Sequence, residues 1–242
     1  MRQCIPALLL LLSSLHSIFA VLDIVNVEQS FKISSNGFHG QAFNWLRLSF
    51  EHRMANCTLA YKHSIPSGAY VDAGELPASL LSRIWFAEEF DVEAPEWRSS
   101  EQTMVIYSER RIMNSFKFEE SWNFPVRLRY QHPVPGGGHA TVRFRSPDVL
   151  LHCLDSWVDT NLPVTKVPCF SNALISSESC TYIVIEPEEK TWADAVVPRG
   201  NSNLKFISIF ATVVWYSFTA FAFLKYLFPL AKNRLDTWSK LD

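Results

Sequence analysis

The uncharged run from Phe206 to Leu224 constrains this chain more than any other feature. About 20 consecutive apolar residues are enough to cross the hydrocarbon core of a bilayer as a helix. Only as a helix does such a segment satisfy its own backbone groups in lipid. The run lacks the polar face that a buried helix of a soluble domain shows. Lys225, Lys232, Arg234 and Lys240 follow it, and only Arg199 and Lys205 lie just before it. The positive-inside rule then puts the C-terminal side in the cytosol. A transmembrane helix is expected over residues 204–228 and a cytosolic tail over 229–242. Because that charged tail follows the run, the run does not read as a signal for a GPI anchor, which ends in its apolar stretch.

The N-terminus predicts the same topology independently. Arg2 precedes an apolar stretch from Ile5 to Leu15, then small residues up to Ala20. That is the three-part layout of a cleavable secretory signal over residues 1–20, and the stretch is too short for a comfortable span. Cleavage is expected after Ala20, with Ser17 the other position, and an uncleaved anchor is the alternative. Residues 21–200 are left as one lumenal domain. About 180 residues suffice for one real core and not for two large ones. The bilayer is the first partner implied. A formal net charge of −2 with no clustered basic face gives no sign of nucleic-acid binding.

Cys4 falls in the signal, leaving Cys57, Cys153, Cys169 and Cys180. Four cysteines in an oxidising compartment point to two disulfides with three possible pairings. Cys57 with Cys153 and Cys169 with Cys180 is the expected set, although the sequence does not decide among the three. Zinc would want close pairs of the C-x-x-C kind, which are absent from the sequence. Asn56-Cys57-Thr58 is the one N-glycosylation sequon in the chain.

The middle of the chain is β-rich. Alternation and β-branched or aromatic residues mark strands over 27–33, 42–50, 57–63, 104–107, 126–130, 140–145, 149–153 and 180–185. Val126-Arg127-Leu128-Arg129-Tyr130 and Thr141-Val142-Arg143-Phe144-Arg145 alternate apolar with charged residues, which predicts one buried and one wet face for each. Ile65-Pro66-Ser67-Gly68 suits a type I turn, with proline fixing φ and glycine closing it. The stretch 133–138, rich in glycine and proline, predicts a hairpin between its flanking strands. One short helix is expected within 75–84, starting near Pro77. From Glu186 to Asn203 the chain reads as a polar linker. The fold class is mainly β: a lumenal antiparallel β-sandwich followed by a single C-terminal transmembrane α-helix.

Chemistry is harder to find. The sequence contains no nucleophile elbow, no phosphate-cradling glycine loop and no zinc-protease helix. His132, His139 and His152 are scattered and read as surface or packing residues. The acidic stretch Glu88-Glu89-Phe90-Asp91-Val92-Glu93 would place Glu89, Asp91 and Glu93 on one face if it were a strand. A metal site would want more oxygen ligands than that, so a solvated or edge-protecting face is the expected role. In the apolar run, Ser208, Thr212, Trp215, Thr219 and Ala222 share one helical stripe. Small and hydroxyl residues in such a stripe suit helix packing in lipid, so Ser208, Thr212 and Thr219 are partner-contact candidates. No catalytic, cofactor or metal residues are expected.

Four blocks carry a resemblance to a known family. They are Ile65–Asp72 followed by Glu75-Leu76, Phe90–Pro95, Phe124–Tyr130 with His132-Pro133, and Ser146–Cys153. In that order, and with this topology, they resemble the PIG-X family of phosphatidylinositol-glycan biosynthesis class X proteins. The resemblance covers roughly Cys57 to Cys153. It implies a non-catalytic, stabilising subunit of GPI mannosyltransferase I in the endoplasmic reticulum membrane, without cofactor. Its implied partner is the multi-pass catalytic subunit, PIG-M, which moves the first mannose from dolichol-phosphate-mannose onto the glucosaminyl-phosphatidylinositol intermediate. Within the matched loops, Pro66, Gly68, Tyr70, Asp72, Asp91, Glu93 and Pro95 become contact candidates, with holding the sandwich's own turns as their other role. The alternatives are a single-pass cell-surface adhesion or receptor module, and a lumenal sugar-acting enzyme using the carboxylates of Glu88–Glu93.

Overall fold

Gly37 and Phe38 close the first hairpin. Ile24–Asn36 (β1) runs antiparallel to His39–Met54 (β2), with Asn36 opposite His39. Gly37 sits at φ 61°, the positive φ a two-residue hairpin needs at its first central position. The computed structural model describes residues 24–54, 56–153, 162–171, 174–187 and 189–229. The expected signal over 1–20 and all but the first residue of the expected tail over 229–242 lie outside them.

The remaining strands are Cys57–Ile65 (β3), Ala69–Tyr70 (β4), Ile84–Phe86 (β5), Gln102–Tyr107 (β6), Ser115–Leu128 (β7), Gln131–Val134 (β8), Gly138–Arg145 (β9), Asp148–Cys153 (β10), Val164–Ser171 (β11), Leu174–Ile185 (β12) and Trp192–Asn201 (β13). They form a four-stranded sheet in the order β1-β2-β7-β4, a six-stranded sheet β11-β12-β10-β3-β6-β5 and a three-stranded sheet β8-β13-β9. The chain divides into two units: residues up to Gln131 with Ala140–Val197, and His132–His139 with Pro198 onward.

In the first unit, Ala42, Leu46, Leu48 and Phe50 are buried on one face of β2, and Phe124, Val126 and Leu128 on β7. They share one core with Leu59, Tyr61, Met104, Ile106 and Leu151 of the six-stranded sheet. Two antiparallel sheets burying their apolar faces against each other make the expected sandwich. The six-stranded sheet is buried on its other face too, where Ala60, Val105, Tyr107 and Leu150 meet Val167 and Tyr182. There Phe170 stacks on the Tyr107 ring with centroids 4.9 Å apart, and the Tyr107 hydroxyl donates to the Pro168 carbonyl at 2.6 Å. Burial on both faces explains the unbroken apolar run Val149-Leu150-Leu151.

The disulfides are Cys57–Cys153 and Cys169–Cys180. The first joins residues directly opposite on β3 and β10. The second lies where the β11–β12 register shifts between Pro168 and Phe170.

The structure corrects several expectations. The stretch read as a linker holds β13, and β13 lies between β8 and β9, so those two strands are not a hydrogen-bonded hairpin. Between Ile65 and Ala69 the turn bond runs from the Ala69 N–H to the Pro66 carbonyl, one residue later than expected. The helix expected within 75–84 is only Ala78–Leu81, preceded by a 3₁₀ turn over Ala73–Glu75, because β5 already starts at Ile84. In the second unit an α-helix runs from Lys205 to Ala222 and continues as a π-helical turn over Phe223–Leu227. Ser202–Tyr226 is long and apolar enough to cross a membrane, and none of it is buried within the chain.

Candidate functional site

The first unit gathers three of the four quoted blocks around one side chain, Arg129. The alternating pattern of 126–130 predicts Arg129 on the wet face, but β7 ends at Leu128. Beyond it the chain turns and the alternation inverts: Arg129 is only 4% exposed and Tyr130 is 71% exposed. The Arg129 N–H donates to the Gly68 carbonyl at 2.8 Å. Its guanidinium Nη1 donates to the carbonyls of Asp91 at 2.8 Å, Ala94 at 2.5 Å and Val92 at 3.3 Å. The guanidinium carbon lies 4.6 Å from the centre of the Tyr70 ring. Burial lowers the Arg129 pKa from its ordinary value, while Tyr70 and Asp91 oppose that shift. A planar cation that stacks on an aromatic face suits arginine better than lysine.

Neighbouring contacts tie the same blocks together. Ala69 and Tyr70 pair with Leu128 and Arg127 across β4 and β7. The Arg127 Nε donates to both Glu75 carboxylate oxygens, at 2.9 and 2.8 Å. That hydrogen bond holds the Glu75 carboxyl below its usual range. The Val71 N–H donates to the Gln102 side-chain oxygen at 3.1 Å. The Glu96 N–H donates to the Tyr130 carbonyl at 3.0 Å. Phe90 lies 6.3 Å from Tyr70 and 6.0 Å from Phe86, between ring centroids. Gly68 is buried, and a Cβ there would come within 2.9 Å of Val142 Cγ2.

Each contact candidate can be placed. Gly68 is buried, and Pro66, Tyr70, Asp72 and Pro95 are half-buried. Asp72 caps the 3₁₀ turn by accepting from the Gly74 N–H at 2.8 Å. Asp91 and Glu93 are exposed, and the Asp91 carboxylate accepts from the Glu93 N–H at 2.9 Å. The acidic stretch is therefore a loop after β5 and not a strand. Among the described residues no group of three or more His, Cys, Asp or Glu is placed to hold a metal. Ser208, Thr212 and Thr219 sit on the exposed helix of the second unit. The hydroxyls of Thr212 and Thr219 donate to their own helix, at the Ser208 and Trp215 carbonyls, 2.8 and 3.1 Å away. Asn56 is half-exposed, with Arg111 donating to its side-chain oxygen at 3.5 Å.

Sequence reasoning missed Arg129, Tyr130 and Trp97. Val92, Trp97 and Tyr130 are 43%, 47% and 71% exposed around the fastened loop, and Phe38 packs on Tyr130 at 4.7 Å. The arrangement can present a stiff rim of apolar and acidic groups on a loop whose backbone is fixed from inside. That suits recognition of a protein surface.

A concavity of about 450 Å³ in the same unit is lined by Thr58, Ser82, Arg83, Ser108, Arg111 and Phe170, among others. Arg83 is engaged there by the chain itself, donating to the Tyr107 carbonyl at 2.6 Å.

The family model described as PIG-X / PBN1 matches residues 35–227. A human protein named GPI alpha-1,4-mannosyltransferase I, stabilizing subunit, is 30% identical over 154 residues, covering 60% of this chain and 55% of its own. A rat protein of the same name is 32% identical over 142 residues, covering 53% and 52%. This chain spans about half the length of these relatives.

Proposed function

Because the chain belongs to the PIG-X / PBN1 family, we propose that it is a non-catalytic, stabilising subunit of a GPI mannosyltransferase I in the endoplasmic reticulum. The observation that carries this reading is the family match together with the shared name of the human and rat relatives. Its partner would be the multi-pass catalytic subunit, PIG-M, which moves the first mannose from dolichol-phosphate-mannose onto glucosaminyl-phosphatidylinositol. The sandwich would be lumenal and the apolar helix would cross the membrane once, with the C-terminus cytosolic. Two disulfides and the Asn56 sequon are what a lumenal domain carries, and the K/R bias around the span supports that direction.

The chemistry of such a transferase needs a membrane-embedded site for two lipid-linked substrates, which one helix cannot enclose. A subunit that binds only the folded enzyme stabilises it by mass action. Losing the subunit would then raise the unfolded fraction exposed to degradation. The contact would use the loop fastened by Arg129, through Asp91, Val92 and Glu93, and the helix stripe of Ser208, Thr212 and Thr219. Because the threonine hydroxyls are satisfied within the helix, the stripe would act through its small size.

The test is depletion of this chain from its own cells, followed by the level of the multi-pass subunit, mannose transfer in microsomes and tagged co-purification. Joint loss of level and transfer, with co-purification of the two proteins, is expected. Unchanged level and transfer would overturn the reading in favour of a cell-surface module. Val92→Asp with Glu93→Lys, and Thr212→Leu with Thr219→Leu, then test each contact by loss of co-purification.

A further inference from the structure

In the folded chain the Asn56-Cys57-Thr58 sequon is locked on both sides. Cys57 and Thr58 open β3, facing Cys153 and His152 of β10. On the other side Cys57 forms a β-bridge with Ile112, donating to its carbonyl at 3.3 Å and accepting from its N–H at 2.8 Å. The Thr58 hydroxyl donates to the His152 carbonyl at 3.3 Å. Cys57 is fully buried in its disulfide, and Asn56 is held at φ 54°, a left-handed conformation. An enzyme that must bind Asn, the residue after it and the hydroxyl two residues on as one open peptide has no access to this segment. Asn56 itself is half-exposed, so a sugar already on its side chain has room.

The order of the cysteines supplies the missing interval. Only Cys4 precedes Cys57, and the next cysteine is Cys153, 96 residues later. At about 5–20 residues per second, a nascent chain takes roughly 5–20 s to bring its disulfide partner into the lumen. During that time neither the disulfide nor the β3–β10 ladder can form.

We infer that Asn56 is an N-glycan site used only in this window, before Cys57–Cys153 closes. The donor is a lipid-linked oligosaccharide diphosphate. A bond forms from Asn56 Nδ2 to the anomeric carbon, the bond from that carbon to the diphosphate oxygen breaks, the lipid diphosphate leaves and one amide proton is released. Afterwards the Cys57 and Cys153 thiols give two protons and two electrons to a lumenal thiol oxidoreductase disulfide, which becomes a dithiol.

This inference rests on the lumenal placement proposed above. The test is pulse-labelling of the full chain in microsomes, read by mobility before and after glycosidase treatment, with protease protection alongside. Wild type is expected to show a shift that the glycosidase removes and that Asn56→Gln lacks. Cys153→Ser, in which that closure cannot occur, is expected to show occupancy at least equal to wild type. Chain made while donor synthesis is blocked, left to form its disulfides and then resupplied with donor, is expected to stay unmodified. The readout is taken on newly made chain, so a variant that folds poorly still reports. A protected but unmodified wild-type chain, a lower occupancy in Cys153→Ser, or modification after resupply would each overturn the inference. Digestion of the segment in sealed microsomes would instead overturn the lumenal placement.

Discussion

Replacing Arg129 by alanine separates the role of the buried cation from that of the loop it holds. The guanidinium makes two good bonds, to the Asp91 and Ala94 carbonyls, and a long one to Val92. Hydrogen bonds to a charged group contribute about 1.5–3 kcal/mol each, so two set an upper bound of ~3–6 kcal/mol. Asp91 and Val92 are exposed and Ala94 is half-buried, and their carbonyls regain water when the loop lifts. The net loss should therefore be about 2–3 kcal/mol, concentrated in local opening of residues 90–97 and not in the sandwich. At 1.4 kcal/mol per tenfold, amide exchange of Glu93 and Glu96 should quicken roughly 30- to 150-fold. Lysine keeps a charge but loses the planar face stacked on Tyr70, so Arg129→Lys should fall between the two. Amide exchange by mass spectrometry on the full chain in detergent reads all three proteins. The reasoning is refuted if Arg129→Ala leaves exchange in this loop unchanged, or if β2 and β10 loosen as much as the loop does.

Three further outcomes follow from other contacts. Gly68→Ala should destabilise the first unit by about 1–3 kcal/mol through overpacking on Val142; adding Val142→Ala opens that space, so in denaturant titrations the double variant should cost at least ~1 kcal/mol less than the sum of the singles. His63 is 1% exposed, its Nε2 has no hydrogen-bond partner, and burial lowers its pKa to about 3. The unfolded chain therefore binds a proton that the folded one refuses between pH 6.5 and about 3. Stability from this group is full above 6.5 and falls by about 1.4 kcal/mol per pH unit below it; His63→Leu should remove that slope in thermal melts between pH 7 and 5. Opening Cys57–Cys153, which spans 96 residues, should cost about 4–5 kcal/mol, against about 3 kcal/mol for Cys169–Cys180, which spans 11. Paired Cys→Ser variants compared by their denaturation midpoints check the order.

What was legible in the sequence follows from how each strand is covered. β2 alternates cleanly from Ala42 to Phe50 because one face meets the core and the other water. Leu59-Ala60-Tyr61 in β3 and Val149-Leu150-Leu151 in β10 are unbroken apolar runs because both faces of their sheet are covered. β13 hides because only Ala195 and Val197 are buried along Trp192–Asn201, and Pro198 and Gly200 look like loop residues. The first part of β7 hides for a related reason: Ser115, Lys117, Glu119 and Ser121 face outward, and in Ser115–Trp122 only Phe118 is fully buried. The alternation around Arg129 misled because a strand's end is set by the turn and partner strand beyond it, which no local period reports. Pairing among the four cysteines was likewise beyond the sequence, since it depends on β3 and β10 lying side by side.

That three blocks far apart in the chain meet on one arginine bears on what kind of function they serve. Ile65–Asp72 supplies the turn and the Tyr70 face, Phe124–Tyr130 supplies the cation, and Phe90–Pro95 supplies the carbonyls it holds. These groups are spent on one another, and a guanidinium buried beneath the loop, with its Nη1 on the loop's carbonyls, is not offered to a substrate. What they leave at the surface is a shape: a loop whose outward groups, Asp91, Val92 and Glu93, are fixed by inward ones. A binding surface fixed before its partner arrives loses less conformational entropy on contact than a flexible loop would. For a subunit proposed to act by binding alone, affinity for the folded partner is the whole of its effect. The buried arginine is then a determinant of function although it touches no partner.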